Sequence, residues 1–395
     1  MTAAADTVSR AGRRVVRAGA LCAAVGVVGL VIGAAIDLDR FFLAYLVAHF
    51  YVLSIALGAL LFLMITHAMR AGWPTLFRRL SEAMVASLPV LALLFVPLLF
   101  GLTRLYPWLR LDTILDPHVR HLVELKAGYL DRRWFILRAA LFFASWIGTG
   151  ELLRRASLAA DSHPDHPGRR RMYVASAVLL PVVALTLSFA SFDWLMSLTP
   201  AWYSTMFPVY CFAGGFLGAI AVLTVLTAAA DRAGAIPGIN PSHYYALGRL
   251  LLAFVIFWAY VAFFQFLLVW MADKPEESVY YIPRLHGPWR RATVILAVTQ
   301  FVVPFFALLG YWIKRRRGPL SIVAGYLVVI HYLDVHWLVL PSVSPGPDAW
   351  ILLDLAAVLA LSGITVAFAA ARVSGAPLHP LHDPALREAL RYDSR

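Results

Sequence analysis

The sequence predicts an all-α polytopic membrane protein with about ten transmembrane helices. Three observations carry this. The chain is 61% hydrophobic and only 14% charged, with a mean hydropathy of +0.75, whereas an ordinary soluble domain is nearer half apolar and a quarter charged. Apolar runs long enough to cross a bilayer recur along the whole length. The cations, which give a formal charge of +12, cluster in short loops between those runs, as the positive-inside rule expects. That placement assigns the basic charge to membrane orientation and leaves no expectation of a nucleic-acid partner.

The runs fall near 17–36, 43–66, 83–103, 134–153, 172–192, 205–229, 246–271, 291–313, 319–341 and 350–372. The first carries Gly26, Gly29 and Gly33, small residues that let helices approach closely. It shows no small-residue cleavage site, so it reads as a retained helix. Arg10, Arg13, Arg14 and Arg17 precede it. Arg70, Arg78 and Arg79, then Arg154, Arg155 and Arg169 to Arg171, then Arg232 and Lys314 to Arg317 fall on the same side. So do Arg372, Arg387, Arg391 and Arg395. Roughly two thirds of the basic residues lie there, which predicts both termini on the cytoplasmic side. The opposite side has two loops without Lys or Arg, around Asp193 and around Pro345. Its longer loops, 104–133 and 272–290, mix both signs with aromatics, which suits either docking on a partner or plain surface. Cys22 and Cys211 lie inside apolar runs and form no CxxC, so neither an iron–sulfur cluster, a zinc site nor an attached c-type haem is expected. No metal site is expected at all.

An internal repeat is visible. Arg169-Arg170-Arg171 opens a run that ends at Asp193-Trp194. Arg315-Arg316-Arg317 opens one that ends at Asp334, His336 and Trp337, about 140 residues later in both cases. Gly58-Ala59 and Gly218-Ala219 match at a similar offset. The copies stand four runs apart, so they keep the same direction through the membrane. The expected organisation is a first four-helix bundle over 43–198 and a second over 199–341. Residues 1–42 hold the N-terminus and a peripheral helix. Residues 342–395 hold another peripheral helix and the tail.

Several blocks resemble one family. They are SFDWLMSLTPAWYSTMFPVY from Ser191, LKAGYLDRRWFILRAALFF from Leu125, and LGRLLLAFVIFWAYVAFFQFLLVWMADKPEE from Leu247. The last is followed by Tyr280, Tyr281, Arg284, Gly287 and Trp289. In the second block Lys126, Tyr129, Leu130, Phe135 and Arg138 fit the pattern. Together they are similar to the F-type membrane subunit of alternative complex III, a bacterial quinol-oxidising assembly of the inner membrane. That family is related to the NrfD and polysulfide-reductase type of membrane anchor. The resemblance implies paired bundles, a sister membrane subunit of the same fold, and periplasmic iron–sulfur and multihaem cytochrome c partners. It also implies quinol chemistry or proton movement, with quinone bound here or only in the sister subunit. The chain departs from the pattern at Ala246, where an acid is expected before Leu247-Gly248. A proton route through that acid is then in doubt unless His243 or Glu151 substitutes.

Ionisable groups inside a membrane are costly unless paired or hydrated, which makes them functional candidates. Towards the periplasmic side these are His49, Arg138, Asp193, His331, Asp334, His336 and Asp354. The sequence places Arg138 to neutralise Asp193. Asp334 shares a helix face with His331, a pairing that suits proton relay because histidine titrates near neutrality. Asp193, Arg138, Asp334 and His336 are expected to form one hydrated pocket. The alternative for each is a helix-end group meeting headgroups, or an ion pair that holds the bundle. A bis-histidine haem would need His49 and His331 at matching depth. On the cytoplasmic side lie His67, Glu151, His243 and Arg249, with Glu151 either functional or a surface partner of Arg154 and Arg155. Gln265 and Gln300 either cross-link helices or hydrogen-bond a quinone. Trp258, Tyr260, Phe263, Phe264 and Trp270 read as core and interfacial belt, or as a quinone-tail groove. Three function classes therefore stand: a quinol-oxidising subunit with lipid around it, a secondary transporter, and a purely structural anchor. A polysulfide-reductase-type anchor of another complex is a variant of the first.

Overall fold

A computed structural model describes residues 2–161, 168–343, 350–374, 378, 380, 383 and 385–394, with residues 2–11 described by backbone only. The side chain of Arg10, the loop around Pro345 and Arg395 lie outside the described residues. Ten helices are long and apolar enough to cross a membrane. They are α1 Gly12–Ile36, α2 Leu38–Ala68, α3 Trp73–Phe100, α4 Arg132–Ala160, α5 Gly168–Leu198, α6 Phe207–Arg232, α7 Pro241–Ala272, α8 Trp289–Leu309, α9 Arg317–Ser342 and α10 Ile351–Val373. No strand occurs among the described residues. Below, the terminal face is the side where α1 begins and α10 ends, and the loop face is the other.

The helices pack as two rings of four. In the first, α2 touches α3 and α5, α3 touches α4, and α4 touches α5. In the second, α6 touches α7 and α9, α7 touches α8, and α8 touches α9. The rings meet through α2 on α6, flanked by α2 on α9 and by α5 on α6. This reciprocity is what a two-fold axis along the membrane normal produces, the relation expected of parallel repeats. Helices α1 and α10 pair outside the rings, with α10 against α2 and α3.

Burial follows from this plan. In the most apolar stretch of each helix, 89% of residues are buried in α2 and 72% in α6, against 22–50% in the other eight. Close approach of α2 and α6 rests on missing side chains. A Cβ on Gly58 would stand 2.4 Å from Gly215 O, and one on Gly215 would stand 2.9 Å from Ser54 O. The glycine stripe of α1 meets α10 in the same way. A Cβ on Gly26 would stand 2.2 Å from Ala360 N, and one on Gly29 2.6 Å from Ala356 Cβ. Without water to drive apolar association, such backbone proximity is the main attraction between membrane helices.

Two helices depart from the runs the sequence marks. Helix α3 starts at Trp73 and not near residue 83, as a 3-10 turn Trp73–Phe77 followed by Arg78–Val85 and Leu88–Phe100. Its charged first turns are buried because Arg78, Arg79 and Glu82 pair with one another and with Asp161 and Asp383. A break at Ala86-Ser87 precedes Pro89, which cannot donate to the helical ladder. Helix α8 contains a π turn, Val298–Val302, just before Pro304. Tyr326 donates to Thr299 O at 2.7 Å, satisfying a carbonyl within that turn. Pro181, by contrast, leaves the helix Gly168–Trp194 continuous.

The ring junction gives a direct test. Gly58→Leu is expected to lower the thermal midpoint of the detergent-solubilised chain by about 5 °C or more, since overpacking a close backbone contact is strongly destabilising. Gly148→Ala serves as the control, because a Cβ there meets nothing within 4 Å. Equal midpoints for the two variants would remove the α2–α6 contact from its central place.

Candidate functional site

The polar residues near the loop face divide into three networks. The first sits at the end of α5. Asp193 is fully buried and receives Arg138 from α4 through two bonds, Nε to Oδ2 at 2.7 Å and Nη2 to Oδ1 at 3.2 Å. The Arg138 guanidinium lies 3.9 Å from the centre of the Tyr129 ring. Tyr129 thus lies close to Asp193; burial first, then the adjacent carboxylate, pushes its pKa well above the usual phenol value. Lys126 Nζ donates to Pro200 O at 2.6 Å, tying this loop to the α5–α6 connection. The neighbouring Trp194 is packed by Phe95 at 4.7 Å and Phe143 at 5.6 Å between ring centres, and Tyr106 donates to its carbonyl at 3.0 Å.

The second network sits where α9 meets α6 and α2. Asp334 accepts from Tyr210 of α6 at 2.6 Å. His331 Nδ1 stands 3.8 Å from Asp334 Oδ2, beyond hydrogen-bond distance, and has no partner. The His331 Nε2 is 2.8 Å from Ser54 Oγ of α2, whose hydroxyl also reaches Tyr51 O. Glycines of α6 make the room. A Cβ on Gly214 would stand 2.8 Å from Asp334 Oδ2, and one on Gly218 2.8 Å from His331 Cδ2. Above this network Trp337 stacks on Tyr210, and Arg284 lies 3.5 Å from the Tyr280 ring. Arg284 is fully buried and donates to Tyr280 O at 2.7 Å, Leu338 O at 2.8 Å and Ser342 Oγ at 3.0 Å. It closes the loop face of the second ring. Deeper in that ring, Gln265 Oε1, Trp258 Nε1 and both amide atoms of Gln300 are buried without a protein partner. Buried polar atoms are normally satisfied by protein or by water.

The third network joins α2, α9 and α10. Arg40 Nη2 donates to both oxygens of Asp354, at 2.8 and 2.7 Å, and His336 Nε2 stands 3.4 Å from Asp354 Oδ2. The single pocket expected from Asp193, Arg138, Asp334 and His336 is therefore corrected. Each acid finds its partner within its own ring or seam, because the nearest donor is carried by the helix packed against it. Arg40 and Tyr210 complete these networks and neither stands out in the sequence. Arg40 has a faint signal, as a lone cation at a run boundary that the positive-inside pattern does not explain.

The remaining candidates scatter. His49 Nε2 is 2.9 Å from Leu91 O of α3, and its ring packs on Phe95 and Phe143 in the first ring. His49 and His331 thus commit their Nε2 atoms to α3 and to Ser54 respectively, which is not a facing pair of axial ligands. No group of three or more His, Cys, Asp or Glu converges in metal-binding fashion among the described residues. Glu151 is held by Arg155 at 2.8 Å and by Arg372 of α10 at 2.7 Å. His243 forms a capping box with Asn240 at the start of α7, and its Nε2 is 3.0 Å from Ala389 O of the tail. Both stand in structural contacts at the terminal face, and Ala246, three residues after His243, is buried.

The tail itself is docked there. Asp383 pairs with Arg78, Tyr392 stacks on Trp73, and Asn240 Nδ2 donates to Tyr392 O at 3.0 Å. Burial alone would raise the Asp383 pKa, but the Arg78 guanidinium outweighs it and holds the carboxyl below its usual value. A depressed acid stabilises its contacts fully above the unfolded value of about 4 and loses that contribution as pH falls through the folded value. Deuterium uptake over 385–394, corrected for intrinsic rate, is therefore expected to be flat from about pH 5 to 8 and to rise below about pH 4. In Asp383→Asn it is expected to be fast throughout; unchanged uptake in that variant would show that the ion pair does not hold the tail. Comparison of the chain with family models finds no match, and comparison with curated proteins finds no significant match.

Proposed function

We propose that this chain is an integral membrane subunit of a bacterial quinol-oxidising respiratory complex of the alternative complex III type. The observation that carries the proposal is the pair of buried carboxylates at matching ends of the repeat. Asp193 lies in the last turns of α5 and Asp334 towards the end of α9, each beside a tyrosine and a nitrogen-bearing side chain, Arg138 or His331. The motif blocks around Asp193, Arg138 and Tyr280 supply the family resemblance, and the same residues build these networks. In this reading the chain lies in the inner membrane with both termini cytoplasmic. Lipid surrounds it, a sister subunit of the same fold sits beside it, and a periplasmic iron–sulfur protein and multihaem cytochrome c subunits cover the loop face. Quinol oxidation releases protons as well as electrons. The carboxylates of this chain would take or pass protons, whereas the electrons go to centres in the partners. Quinone binds here or in the sister subunit; the unpartnered Gln300 beside a π turn, a feature frequent at functional sites, is the residue in this chain best suited to it.

A secondary transporter would call for helix interruptions at matched positions of the two halves. The interruptions fall in α3 and α8, which are not equivalent under the four-helix offset. That favours the subunit over the transporter.

The test uses the assembled complex. Asp193→Asn and Asp334→Asn keep size and hydrogen-bonding capacity but remove the titratable group. Quinol oxidation per complex is expected to fall by about tenfold or more in at least one of them, with subunit stoichiometry preserved. Full turnover in both variants, in complexes of normal composition, would reduce these networks to structural ties. Failure of the chain to co-purify with iron–sulfur or haem proteins would sink the assignment itself.

A further inference from the structure

One cavity bounded by described residues is not part of any network above. It has a volume of about 770 Å³ and opens on the terminal face, between the end of α2, the starts of α3 and α5, and the docked tail. Its lining includes Arg70, Arg78, Arg169, Arg170 and His67, against the single carboxylate of Asp383 among the described residues. Four guanidinium groups around one cleft repel one another unless an anion sits between them. Arg70 is braced over the Tyr173 ring at 4.2 Å and so keeps its charge at the rim.

Two lining groups are left incomplete inside the protein. Arg78 is only 5% exposed. Its Nη1 is committed to Asp383, whereas its Nη2 and Nε have no hydrogen bond, Nε standing 3.5 Å from Glu82 Oε1. His67 has its Nδ1 3.4 Å from Ser176 Oγ, which leaves its buried Nε2 without a partner. A buried guanidinium with unmet donors is costly, and a tetrahedral oxyanion meets two such donors at once. One wall of the cavity is apolar, formed by Phe62, Leu63, Met172 and Val174. Val174 is 46% exposed on the outer surface of α5, so this wall runs out to where acyl chains lie.

We propose that this cavity binds the phosphate headgroup of an anionic membrane lipid, with one acyl chain along the apolar wall beside Val174. The shared chemistry is a phosphate oxyanion in an arginine cleft. The apolar wall open to the bilayer is what favours a lipid over free phosphate. A headgroup seated there would bridge α2, α3, α5 and the tail, adding a second anion to the one that Asp383 supplies to Arg78. This inference is independent of the respiratory reading.

The full chain, purified in a neutral detergent, is titrated with three probes: a short-chain phosphatidylglycerol, phosphatidylcholine of the same chain length, and inorganic phosphate. Thermal midpoint is the readout. Phosphatidylglycerol is expected to raise it saturably, phosphatidylcholine to leave it unchanged, and phosphate to act only weakly. The Arg169→Gln/Arg170→Gln double variant alters exposed side chains, so its fold is not at risk in the way that of Arg78→Gln would be. It is expected to weaken phosphatidylglycerol binding about thirtyfold, at roughly fivefold per arginine removed. Arg232→Gln, on the same face but outside the cavity, is expected to bind as the parent does. No shift with phosphatidylglycerol, or equal losses in the double variant and in Arg232→Gln, would overturn the site. A full shift with inorganic phosphate and no further gain from the lipid would overturn the lipid assignment.

Discussion

The close contact between α2 and α6 is the constraint on which the other features depend. These are the two most buried helices, and they touch backbone to backbone at Gly58 and Gly215. Had either position carried a side chain, the two rings would stand apart by the width of that side chain. Ser54 would then not reach His331, and the α2–α9 and α5–α6 flanking contacts would open with it. In a membrane the lipid tails are as apolar as leucine, so burial of apolar surface does not hold the rings together. Shape does, and shape here is set by glycine and alanine.

The same economy of small residues appears around the acids. Gly214 and Gly218 lie one turn apart on α6 and give Asp334 and His331 the space they occupy. On the adjoining face of that helix Gly215 meets α2. One glycine-rich segment, AGGFLGA from Ala213, thus serves two jobs: it seats the polar network and it makes the ring junction. The polar network and the fold are therefore not separable by mutation at these positions, which is why the functional variants are placed on the carboxylates and the structural ones on Gly58.

Much of the fold is legible in the sequence, because hydropathy, loop cations and the glycine stripe each report directly on the bilayer. The ten spans follow from those signals, and the two four-helix rings with their outer pair of helices follow from the internal repeat. The Arg138–Asp193 pair is legible too, since an intramembrane cation needs a counter-ion on an adjacent helix. What the sequence hides is tertiary pairing across long separations. Arg40 meets Asp354 over more than three hundred positions, and no periodicity announces it. Arg78, Arg79 and Glu82 resemble a solvated loop in composition, yet they are buried because Asp161 and Asp383 arrive from elsewhere in the chain. The grouping of Asp193 with Asp334 and His336 into one pocket fails for a related reason. Equal depth in the membrane does not bring residues together when they stand in different rings.

The two halves of the repeat have kept an acid at the same helix end and changed what faces it. Asp193 faces a guanidinium, a cation that no accessible pH removes. Asp334 faces a phenol and, just beyond hydrogen-bond distance, an imidazole with one nitrogen free. Neither neighbour is a guanidinium. The second copy thus has a histidine where the first has an arginine, with unpartnered amides below it, so two acids at equivalent places are held by different chemistry.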